Sequence, residues 1–84
     1  MPHQHPIILA IDVGTTSVRC IAFGLDGQII DLHSEHLSLD FPKNDWVETN
    51  ATDMWLKTLI CLRTTWHKLG SRQQNVLGIA LANQ

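Results

Sequence analysis

Eighty-four residues, 44% hydrophobic and 17% charged, make a globular composition, large enough for one small domain or a piece of a larger one. Six Lys and Arg against eight Asp and Glu leave a net charge of −2, so no basic surplus exists to neutralise a nucleic-acid backbone. Apolar runs such as Ile7 to Ile11 fall far short of the ~20 residues that cross a bilayer, and MPHQHP carries no secretory pattern.

In chain order, residues 1–6 read as a flexible polar start. IILAID, from Ile7 to Asp12, predicts a first strand buried on both faces. VGTTS interrupts it with a glycine and three hydroxyl residues. VRCIAFG, from Val18 to Gly24, resumes strand composition, and Asp26-Gly27 supplies a two-residue hairpin signal. Gln28 to Leu39 predicts a third, more polar strand suited to a sheet edge. Phe41 to Asn50 reads as a loop containing Pro42 and Trp46. Asn50 would cap a helix, with Asp53 in the capping-box position. Trp55, Leu59, Leu62, Trp66 and Leu69 recur at helical spacing and predict the buried stripe. Gly70 fits a left-handed C-terminal cap after His67 and Lys68. A polar loop from Ser71 then leads to VLGIALA, from Val76 to Ala82, a last buried-type strand.

The segment with chemical potential is DVGTTSVR, Asp12 to Arg19. Gly14 permits a turn and removes a side chain from a ligand's path. Thr15, Thr16 and Ser17 offer hydroxyls, and their backbone N–H groups can converge on an anion. Asp12, ending a buried strand, can hold Mg²⁺ directly or through water, because that ion prefers hard oxygen ligands. Arg19 can neutralise a phosphoryl group. The bland alternative is an ordinary hairpin loop. Elsewhere the residues carry less. His3-x-His5 and His33-x-x-His36 lack a third metal ligand nearby. Cys20 and Cys61, without Cys-x-x-Cys spacing, read as small buried hydrophobes in a reducing cytoplasm rather than as a disulfide or nucleophiles. Trp55 and Trp66 read as core, and Trp46 as a side chain pinning its loop.

Two hairpins followed by a helical crossover imply an α/β fold. Its first three strands form an antiparallel meander, and the fourth returns parallel to the first. That is the opening half of a ribonuclease H-like sheet. Within it, DVGTTSVR resembles the first phosphate motif of the actin–Hsp70–sugar kinase superfamily. FPKNDWVETNATDMW resembles the loop-and-helix segment that follows in carbohydrate kinases of the FGGY family, and LGIALANQ the next strand, closest to glycerol kinase-like members. The three motifs stand in family order and span Ile7 to Gln84. Actin-like and Hsp70-like proteins share the first motif but lack the Trp46-Val47-Glu48 loop and Trp55.

The resemblance implies an ATP-dependent kinase that phosphorylates a hydroxyl of a sugar or polyol in a cleft between two domains. By match to the motif, Gly14, Thr15, Thr16, Ser17 and Arg19 would bind nucleotide phosphates, and Asp12 would organise Mg²⁺. The family's catalytic base, adenosine-binding motifs and second domain would lie beyond position 84. Residues 7–84 thus read as an incomplete N-terminal domain, its phosphate-loop half, inactive by itself. Val13 replaces the glutamine usual in glycerol kinases and matches other sugar kinases, so the two ends disagree about substrate. Asn44-Asp45 departs from the pair usual before the tryptophan. Two other readings compete. A ribonuclease H-type nuclease would need further carboxylates beside Asp12, and Asn83-Gln84 supplies none. A pseudo-enzyme or interaction module would keep the fold without nucleotide affinity. The uncharged last strand also predicts that the lone chain self-associates through that edge.

Overall fold

The computed structural model describes residues 5–37 and 46–83. The expected flexible start therefore falls largely outside the described residues, as does the Phe41-to-Asp45 part of the expected loop. Four strands and one long helix follow in the order β1 (Ile7–Val13), β2 (Ser17–Gly24), β3 (Ile29–His36), α1 (Trp46–Leu69) and β4 (Val76–Asn83). They form one sheet of order β3-β2-β1-β4, with β1–β2 and β2–β3 antiparallel and β1–β4 parallel. This is the expected α/β topology.

The alternation of strand side chains assigns each face. Leu9 and Ile11 of β1 pair with Ala22 and Cys20 of β2, and with Ile7 and Val18 they form the buried face of the sheet, the face that carries α1. Asp12 and Arg19 alternate with these and occupy the opposite face, directly across from each other. On that face β4 presents only Gly78, Ala80 and Ala82 beside Ile8, Ala10 and Asp12.

The Asp26-Gly27 hairpin signal, between β2 and β3, is realised with a different turn. Gly27 N–H donates to Gly24 C=O (3.0 Å) and Gly24 N–H to Gln28 C=O (2.8 Å), which makes a three-residue loop. Gly27 alone takes a positive φ, +90°, whereas a two-residue type I′ turn would require one at Asp26 as well. Asp26 instead accepts the Gln28 N–H on Oδ1 at 3.0 Å.

The helix corrects two expectations. It starts at Trp46, so Asn50 lies inside it and not at its N-cap. No proline or glycine occurs from Trp46 to Leu69, and one interior Asn costs a helix only a few tenths of a kcal/mol. Its end at Gly70 is as expected: φ is +56°, and a 3₁₀ helix, Gly70–Asn75, replaces the expected loop. The second correction concerns the buried stripe. Cys61, Thr65 and Leu69 are buried, with Met54 and Leu62 packed at the margin. Trp55 is 62% exposed and Trp66 39%. The cause is where α1 lies: it packs on β2 and β3 and scarcely meets β1. Small residues there permit close approach. Cys61 Sγ–H donates to Val18 C=O (3.3 Å) and Thr65 Oγ1–H to Cys20 C=O (3.4 Å), contacts that an indole would prevent. Leu62 and Trp66 instead line an apolar groove with Leu9, Val76 and Ile79, over the uncovered half of the sheet.

Candidate functional site

The β1–β2 connection contains three residues, Gly14 to Thr16, between the end of β1 at Val13 and the start of β2 at Ser17, and the last cross-strand pair is Val13 with Val18. Gly14 N–H donates to Ser17 C=O at 2.9 Å and closes the loop. That N–H is thereby spent, so what Gly14 offers a ligand is its lack of a side chain. Its φ is not positive, and the turn does not require glycine for that reason. Thr15 and Thr16 are exposed, while Ser17 is half-buried at the start of β2.

Behind the loop, Leu37 N–H donates to Thr16 C=O at 2.8 Å, and Leu37 itself is buried. The backbone of the segment leaving β3 thus holds the loop's third residue. Sequence reading missed this anchor. Leu37 looks like one more residue of an edge strand, and only the β2–β3 register places it behind Thr16.

Asp12 and Arg19 share a face one pair below the loop, Asp12 half-buried and Arg19 exposed. The parallel pairing of β4 with β1 sets Val13 against Asn83. The carboxyl ends of β1 and β4 therefore meet at the loop end of the sheet. The structure gathers all six predicted site residues there: Asp12, Gly14, Thr15, Thr16, Ser17 and Arg19. Crevices at the carboxyl ends of strands are where open α/β sheets bind ligands.

Among the described residues, no three His, Cys, Asp or Glu side chains gather as a metal site. One carboxylate beside exposed hydroxyls suits Mg²⁺, which keeps several waters and takes one or two carboxylates together with substrate phosphates. Asp12 fits that requirement for an ion carried in with a nucleotide. It does not fit a metal held by protein alone. The two thiols lie elsewhere, both buried and free. Burial raises Cys20, and burial followed by Glu35 pushes Cys61 to about 11, so neither is a nucleophile at neutral pH.

Residues 7–84 match the model of the N-terminal domain of the FGGY family of carbohydrate kinases. The chain belongs to that family. It is similar to glycerol kinase 1 of Streptomyces avermitilis, 38% identical over 79 residues that cover 94% of this chain and 15% of that protein. Glycerol kinases of Coxiella burnetii (34% over 77 residues) and Bacillus velezensis (36% over 77 residues) are also similar. The chain spans about 15% of the length of these relatives. The FGGY match includes the loop, the helix and β4 together, as the three motifs anticipated.

Proposed function

We propose that this FGGY domain supplies the nucleotide-phosphate site of an ATP-dependent kinase acting on a hydroxyl of a sugar or polyol. The observation that carries the reading is the loop Gly14–Thr16. It presents two exposed threonines at the sheet end where Asp12 and Arg19 face each other. Thr15, Thr16 and Ser17 would hydrogen-bond phosphate oxygens, and Arg19 would neutralise charge as the phosphoryl group moves. Asp12 would hold Mg²⁺ through its carboxylate or a water. Bound Mg²⁺ would offset phosphate charge, and the protein's share is positioning and electrostatics. The names of the similar proteins make glycerol the first acceptor to test. Two buried free thiols suit a reducing compartment such as the cytoplasm. The 84 residues by themselves would bind without turning over substrate, since phosphate contacts alone cannot position an acceptor.

Kinetics of the complete protein carrying this chain test the site. Arg19→Ala should lower kcat more than it raises KM for the acceptor. One charge-assisted phosphate contact is worth about 1.5–3 kcal/mol, or roughly 10- to 150-fold in rate. Thr16→Val should cost less, because backbone donors remain. A near-normal kcat with intact ATP affinity in Arg19→Ala would reduce the loop to a hairpin connection.

A further inference from the structure

We infer that Lys57 is a positioning residue for the Gly14–Thr16 loop, acting through the peptide group between His36 and Leu37. That group is gripped from both sides. Its C=O accepts a hydrogen bond from Lys57 Nζ of α1 at 3.1 Å. Its N–H donates to Thr16 C=O at 2.8 Å. C=O and N–H of a trans peptide point in opposite directions, so the lysine lies on the far side of β3 from the loop. A cation on the oxygen draws electron density through the amide and makes the N–H a stronger donor, the cooperative effect expected of linked hydrogen bonds. Asp53, one helical turn back, lies 4.0 Å from the amine and helps to place it.

The helix thereby fixes one carbonyl of a loop it does not otherwise need to reach. Fixing Thr16 C=O limits rotation of the following peptide, which carries the Ser17 N–H, and so orients the donors meant for an anion. A loop held in its binding conformation escapes the affinity penalty of a partly populated one. The inference rests on the phosphate-site reading.

A second lysine provides the control. Lys68 Nζ donates to Leu32 C=O at 3.0 Å and lies 3.5 Å from Asp31, which is the same kind of clamp on the same edge, but away from the loop. Three variants of the complete protein, Lys57→Met, Lys57→Arg and Lys68→Met, are compared by amide hydrogen exchange at Leu37 and by titration with Mg·ADP. Arg19→Ala serves as the reference for the phosphate site. Lys57→Met should speed Leu37 exchange about fivefold, the equivalent of one ordinary hydrogen bond, and weaken Mg·ADP binding about tenfold if the competent loop falls to a tenth of the population. Lys57→Arg should restore both, and Lys68→Met should change neither.

Unchanged Leu37 exchange in Lys57→Met overturns the inference. Equal effects of Lys57→Met and Lys68→Met overturn it as well, since they would mark both lysines as general clamps. Faster exchange with normal Mg·ADP affinity, while Arg19→Ala binds weakly, removes the positioning role and leaves the phosphate site standing. Normal affinity in both Lys57→Met and Arg19→Ala removes the phosphate site, and the positioning role falls with it.

Discussion

Cys61 and Thr65 set the distance between helix and sheet, and each solves a polar problem as it does so. Both are fully buried, and each donates to a β2 carbonyl. The buried thiol makes stability sensitive to alkaline pH. Cys61 keeps its proton up to about 11 in the fold, against 9.0 for an ordinary thiol. Between those values the unfolded chain has lost the proton and the native chain has not, so unfolding is favoured as pH rises. The stabilisation is complete below pH 9 and is lost towards 11, by roughly 2–3 kcal/mol at 1.36 kcal/mol per unit. Cys20, raised in the same direction, adds to the slope. Denaturation midpoints measured from pH 8 to 11 should fall, and should fall less in Cys61→Ala. Glycines separate at the same scale. Gly70 has φ +56° and open space where a Cβ would go, so Gly70→Ala should cost about 1–2 kcal/mol for the left-handed backbone alone. Gly78 has equal space and an ordinary strand φ, so Gly78→Ala should be neutral or slightly stabilising. Thermal melts of the two variants check the pair.

At the scale of elements, legibility followed the kind of signal. Strand order could be read because short apolar runs, a hairpin glycine and a helical crossover leave few topologies. The β1–β2 connection could be located because Gly14 and the three hydroxyl residues after it break two strand-like runs. The helix face could not. Its large residues recur at helical spacing, and a periodicity argument ranks Trp55 and Trp66 above Cys61 and Thr65. Yet contact with a strand pair rewards small side chains that allow close approach. Apolar periodicity marks surface that needs cover, and it does not say which neighbour comes first. Two truncations separate the faces. Leu69→Ala, at a site only 2% exposed, should cost about 2–5 kcal/mol. Trp66→Ala removes a larger group that is 39% exposed, and should cost clearly less. Urea denaturation of both variants, compared at equal m-value, decides this. Equal losses would mean that the tryptophan face is core after all.

For the whole molecule, the two sheet edges are treated in opposite ways. The β3 edge is closed by charge. Leu32 N–H donates to Asp31 Oδ1 (2.8 Å), and Leu32 and His36 carbonyls accept from Lys68 and Lys57. A strand arriving there would have to displace two ammonium groups. Among the described residues, the β4 edge has no such guard. Val76 to Ala82 contains no charge and no proline, and Leu77, Ile79 and Leu81 are 52%, 58% and 71% exposed. Unpaired backbone groups beside apolar side chains favour pairing with another strand. In the 84-residue polypeptide studied alone, the available strand is β4 of a second copy. Antiparallel pairing would bring no like charges together. Self-association should therefore grow with concentration in sedimentation velocity runs. Ile79→Lys should suppress it, because it puts a charge in the middle of the open strand, on the side of the groove lined by Leu62 and Trp66. A lysine exchanged into the guarded side, Ser34→Lys on β3, should leave association unchanged. Association that persists in Ile79→Lys would move the contact away from β4. A wild-type polypeptide that stays monomeric at high concentration, with a cooperative melt, would show that backbone solvation alone satisfies this edge.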